Sequence, residues 1–111
     1  MPYTVHQSIY LFLQQIKKIL EQSLSQVIVY GSYARGDYHD NSDVDIMVLV
    51  DLSNEEIKTI ENKIFDIAFD IEMNTGVDIS PILKNRVEYE YWMDVLPFYK
   101  NIKEEGIIIN G

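Results

Sequence analysis

A chain of 111 residues with 47% apolar content can bury one core and is too short for two ordinary domains, so residues 1–111 are expected to form a single domain. Its formal charge of −9, with nine Lys and Arg residues scattered along the chain, argues against a surface that binds nucleic acid directly and favours a basic partner. With no cysteine, a disulfide framework and a thiolate zinc site are excluded. MPYTVHQSIY lacks a basic region followed by an apolar run, and no apolar stretch is long enough for a bilayer, so a cytoplasmic protein with no membrane association is expected.

Thr4-Val5-His6-Gln7 has the form of a capping box, and Val5, Ile9, Phe12, Leu13, Ile16, Ile19 and Leu20 recur at helical spacing up to about Ser23. This predicts an amphipathic helix that covers a core and carries no chemistry. Val27 to Tyr30 reads as a buried strand that breaks at Gly31-Ser32 into a short helical turn ending near Gly36. The polar loop Asp37-Tyr38-His39-Asp40-Asn41-Ser42 follows, then a second strand from Asp43 to Val50. His39 is expected to be an ordinary loop residue, since no second histidine or cysteine stands nearby to support zinc.

Side chains alternate across a strand, so Asp43 and Asp45 leave one face while Val44, Ile46, Val48 and Val50 leave the other toward a core. Paired carboxylates repel unless a cation lies between them, and an oxygen-only pair suits Mg²⁺ held together with substrate phosphates. Gly31 lets the backbone approach a ligand, and Ser32 with the first turn of helix offers N–H groups and a hydroxyl to a phosphate. Ser32 could equally cap its own helix. Arg35 is placed to meet a triphosphate oxygen or to pair with Asp37 or Asp40.

Gly31-Ser32, ten intervening residues and Asp43-Val44-Asp45 resemble the signature of the DNA polymerase beta-like nucleotidyltransferase superfamily. The string GSYARGDYHDNSDVDIMVLVD is similar to its smallest branch, the minimal nucleotidyltransferases, usually encoded beside HEPN-domain proteins, many of them toxin ribonucleases. The resemblance implies an α/β (α+β) nucleotidyltransferase fold: a small mixed β-sheet with helices mainly on one face. It also implies two Mg²⁺ ions on Asp43, Asp45 and a third carboxylate, with ATP as donor and Gly31, Ser32 and Arg35 on its phosphates.

Ser53-Asn54-Glu55-Glu56 is a second capping box, opening a helix with Ile57, Ile60, Ile64, Ile67 and Ile71 on one face, a charged opposite face, and a stop at Asn74-Thr75-Gly76. Val77 to Leu83 then has strand character, with Pro81 indicating an edge position or an early end. A strand, a long helix and a strand form a crossover unit whose strands run parallel, which would bring Asp78 to the same end as Asp43 and Asp45. Asp66 and Asp70 are alternatives for the third carboxylate, but they fall on the helix, and Asp78 alone has the strand context that the resemblance implies for it. Asn85 to about Asp94 and Pro97 to Glu105 read as two further helices, Gly106 as a stop, and Ile107-Ile108-Ile109 as a small strand. Tyr89, Tyr91, Trp92, Phe98 and Tyr99 are expected to pack in the core, although exposed Tyr and Trp would suit an interface.

By resemblance, the expected activity is transfer of AMP from ATP to a tyrosine hydroxyl of a cognate HEPN toxin, within a toxin–antitoxin hetero-oligomer. Two alternatives stand beside it: an acidic antitoxin that masks its toxin by binding alone, and a small-molecule nucleotidyltransferase completed by homo-dimerisation.

Overall fold

The computed structural model describes residues 1–110. Helix α1 (Tyr3–Leu20) is followed by a 3-10 turn at Glu21–Ser23, strand β1 (Leu24–Tyr30), the single-turn helix α2 (Ser32–Arg35) and strand β2 (Val44–Val50). Helix α3 (Asn54–Thr75), strand β3 (Ile79–Asn85), helices α4 (Arg86–Trp92) and α5 (Pro97–Glu105) and strand β4 (Ile107–Asn110) complete the order.

The sheet runs β3-β2-β1-β4, with β2 and β3 parallel and both other pairings antiparallel. β2 is its buried spine. Val44, Ile46, Val48 and Val50 join Val27 and Val29 of β1 and Ile79 and Leu83 of β3 in a core covered by α1 and α3. Met47, Leu49 and Ile28 point the other way, onto Tyr89 of α4 and Ile102 of α5. The two long helices therefore cover one face, and the two short ones a smaller apolar cluster on the other. Each β2 side chain buried in this way contributes about 1.5–3 kcal/mol relative to exposure.

α3 begins as its sequence dictates. The Ser53 side chain accepts from the Glu56 amide, the Glu56 carboxylate accepts from the Ser53 amide, and Gly76 ends the helix at φ 77°. α1 departs from expectation at its start. Its N-cap is Pro2, whose carbonyl accepts from the amides of Val5 and His6, so Thr4 lies inside the helix and forms no capping box. Thr4 instead offers its carbonyl to the buried Ser8 hydroxyl, which also reaches Thr75 of α3. Ile19, expected on the core stripe, is exposed, and Ser8 takes a buried place on that face.

Asp43 and Asp78 each precede their strand rather than opening it. The amide of Val44 donates to the carbonyl of Asp78 at 2.8 Å, and this first rung of the parallel ladder sets the two acidic residues level. By the same alternation Pro81 directs its ring nitrogen away from β2, so the missing N–H costs no ladder bond at this edge strand. Of the C-terminal aromatics, Tyr89 is buried and Tyr99 half-buried, whereas Tyr91, Trp92 and Phe98 are exposed, because two short helices cannot cover that face of the sheet.

The contrast between the two capping motifs is measurable. Ser53→Ala should lower the urea-unfolding free energy by about 1 kcal/mol. Thr4→Ala should stay within about 0.5 kcal/mol of the parent, and equal losses at both positions would contradict this reading of the helix starts.

Candidate functional site

The strand ends and helix ends that meet at the top of β2 supply every group of the candidate site. β1 ends at Tyr30, and the chain turns at Gly31 with φ 74° and ψ −153°, a conformation that only glycine adopts easily. There is also no room for a side chain there. A Cβ at Gly31 would collide with Oδ2 of Asp45, so the carboxylate lies directly over the glycine backbone. The amides of Ala34 and Arg35 turn back onto the Gly31 carbonyl, leaving those of Ser32 and Tyr33 without a partner inside the turn. The N-cap of α2 is Gly31, so Ser32 is the first residue of the helix rather than its cap.

Alternation along β2 puts Asp45 on the sheet face of Met47 and Leu49, opposite the main core. Burial pushes its carboxyl above the ordinary range, the charge of Asp43 pushes it further, and the Arg35 guanidinium pulls it back. Asp78 is raised to about 6, by burial first, then by a hydrogen bond shared with Asp43, and then by the charges of Asp43, Glu72 and Asp45. The Tyr30 hydroxyl is pushed up to about 12 by burial and by Asp45, its cross-strand partner. It stays a neutral donor.

Asp43, Asp45 and Asp78 thus meet at one end of the sheet, beside Gly31 and Ser32. Asp43 and Asp78 are the close pair and Asp45 leans toward Gly31. Among the described residues, no three His, Cys, Asp or Glu side chains form a ready cage for one ion. An oxygen-only carboxylate pair suits Mg²⁺, which takes one or two carboxylates and completes its shell with water and substrate phosphates rather than an all-protein cage. The donor set fits that ion, and the amides of Ser32 and Tyr33, unpaired within the turn, are the groups left for a phosphate.

Arg35 is brought to the edge of the site but is occupied there, its Nε 3.2 Å from Asp37 and its Nη1 3.3 Å from Glu105 of α5. The alternative of an ion pair with Asp37 is realised. Those contacts are exposed and worth little, so the guanidinium is free to exchange partners at small cost. His39 closes its own loop: its amide donates to the Ser42 hydroxyl and its Nδ1 accepts from the Asn41 amide. Asp66 and Asp70 are exposed along α3 and line none of the clefts around the three aspartates.

Two clefts of ≈ 400 Å³ and ≈ 410 Å³ open on the Asp43–Asp78 side and share Asp43, Glu72 and Asp78. A third, ≈ 400 Å³, opens on the opposite side between Gly31-Ser32, Asp45 and α5. Sequence reasoning missed Glu72 and the contribution of α5. Glu72 could have been found, since it sits one turn before the Gly76 stop that delivers the chain to Asp78.

The family model for the nucleotidyltransferase domain matches residues 13–109. MJ0141 of Methanocaldococcus jannaschii, provisionally named a protein adenylyltransferase, is 37% identical over 90 residues, covering 79% of this chain and 87% of that protein. MJ0604 of the same organism, with the same provisional name, is 24% identical over 98 residues, covering 88% and 90%. Among solved structures, a toxin–antitoxin crystallised with AMP-PNP matches at TM-score 0.54 and 18% identity, over 90% of this chain and 71% of that one. That likeness shows a shared fold.

The raised Asp78 carboxyl has a thermodynamic consequence in metal-free protein. Its folded-state value of about 6 lies above the ordinary 3.8, so its contribution is fully present below 3.8 and lost as pH rises through about 6. In EDTA, the urea midpoint of the parent should fall relative to that of Asp78→Asn over about pH 4 to 7. Parallel curves for the two proteins would contradict the assignment.

Proposed function

The chain belongs to the nucleotidyltransferase domain family, and from that premise we propose that it transfers AMP from ATP to a hydroxyl of a partner protein, a tyrosine of a HEPN ribonuclease toxin that is thereby silenced. The observation that carries this reading is the packing of the Asp45 carboxylate onto Gly31, beside the Asp43–Asp78 pair. It unites an anion cradle and a carboxylate set at one point. The provisional naming of MJ0141 and MJ0604 for AMP transfer to protein supports the acceptor class, and the structural likeness to a toxin–antitoxin supports the kind of partner.

In this reading Ser32 and the free amides of its turn hold the outer phosphates, and Arg35 leaves its surface carboxylates for the triphosphate. Asp43, Asp45 and Asp78 would hold Mg²⁺, two ions in the full arrangement, which when bound neutralises triphosphate charge and acidifies the acceptor hydroxyl. The acceptor oxygen bonds to the α-phosphorus, the bond from that phosphorus to the oxygen bridging to the β-phosphate breaks, and pyrophosphate leaves with the electron pair. The hydroxyl proton passes to a carboxylate oxygen of Asp78, which stands on the side away from Gly31. A charge of −9 favours encounter with a basic RNA-binding surface on the partner.

Masking without catalysis is the second reading, favoured by the exposed Tyr91, Trp92, Val95 and Leu96 of α4 and the segment after it. One experiment separates the two. The protein is mixed with the product of its genomic neighbour, ATP and Mg²⁺, and the neighbour is weighed by intact-mass spectrometry. An added AMP that vanishes with Asp43→Asn supports transfer, whereas inhibition of the neighbour that survives this substitution supports masking. Gly31→Ala, which displaces the Asp45 carboxylate, should slow transfer on the order of 100-fold while the domain stays folded.

A further inference from the structure

The charged outer face expected of α3 is interrupted by Phe65, Phe69 and Met73, which are 41%, 60% and 69% exposed. Spaced four residues apart, they form one stripe along the helix. Phe65 and Phe69 wall one of the two clefts that share Asp43, Glu72 and Asp78, with Ile79 and Pro81 of β3 among the residues opposite. An aromatic surface therefore runs without a break into the candidate carboxylates. Among the described residues, every ionisable group along that cleft is acidic, and no Lys or Arg lines it.

In-line displacement requires the acceptor to approach the phosphorus opposite the departing pyrophosphate. The phosphate cradle of Gly31 and Ser32 belongs to the cleft on the Asp45 side, whereas the aromatic cleft lies on the Asp78 side. Donor and acceptor thus have separate entrances. Building on the proposed function, we infer that the trough between α3 and β3 seats the acceptor: an extended protein segment whose hydroxyl reaches Asp78, with an apolar side chain on Phe65 and Phe69 and a basic residue facing Glu72. Ring faces give such a segment large contact area at little entropic cost, and the acidic lining rejects segments of like charge.

The probes are three synthetic peptides, Leu-Lys-Tyr-Lys-Leu, Gly-Lys-Tyr-Lys-Gly and Leu-Glu-Tyr-Glu-Leu, offered with Mg²⁺ and ATP labelled at the α-phosphate. The first should be labelled with the highest kcat/KM, about tenfold or more above the glutamate peptide. The double variant Phe65→Ser with Phe69→Ser should lose about tenfold through KM for that peptide, with calorimetric affinity for Mg²⁺-ATP unchanged. Glu72→Lys, which keeps the stripe, should narrow the preference between the lysine and glutamate peptides. Equal labelling of the three peptides, an undiminished double variant, or no label on any peptide from a parent that binds ATP would overturn the inference. A parent that fails to bind Mg²⁺-ATP would overturn instead the function on which it rests.

Discussion

Mutual repulsion among carboxylates at the head of the sheet is the constraint around which this chain is built. Asp43, Asp45 and Asp78 belong to segments that would separate if left to their charges, and the Asp78 carboxyl rises to about 6 through its burial first, then its hydrogen bond with Asp43, with the neighbouring carboxylates adding to the shift. What holds them is the sheet. The Val44 amide on the Asp78 carbonyl opens a parallel ladder of seven paired residues, backed by a continuous Val and Ile face. Tens of buried apolar contacts per residue set against one polar corner decide the outcome, since the core cannot relax without opening β2.

Much of this was legible in the residues because it depends on local periodicity. The apolar run from Val44 to Val50, broken only by Asp45, marks β2 as a strand buried on both faces, and Ser53 and Glu56 start α3 where a reciprocal cap demands. The place of Asp78 beside Asp43 followed from topology, since a strand–helix–strand unit leaves its strands parallel and their entries coincide, while its role as third carboxylate came from the resemblance. Pro81, read as an edge signal, lies in the edge strand.

Other features depend on what packs against what. Thr4 and Gln7 satisfy the pattern of a cap, yet the carbonyl of Pro2 had already started the helix. Phe65 and Ile64 are adjacent and equally apolar, but one is exposed and the other fully buried, because the helix has a single turnable face and the isoleucine row claims it. Likewise Tyr91 and Phe98 could not be told from Tyr89 in the sequence, because which side of α4 and α5 meets the sheet is decided by packing. The candidate site was legible in the sequence through its carboxylates and glycine, which the fold brings to one end of the sheet. Its walls were legible only in part: Glu72 could be placed from the Gly76 stop, whereas α5 arrives from a distant part of the chain.

The two borders of the sheet differ in what they offer to another polypeptide. On the β3 side an imino nitrogen interrupts the row of outward donors, so an incoming strand would find a gap where it needs a rung. On the β4 side Ile107 and Ile108 are exposed on a short strand with no such gap. Sheet extension by a foreign strand is thereby steered to the C-terminal margin, and the margin that flanks the acidic corner is left for side-chain chemistry.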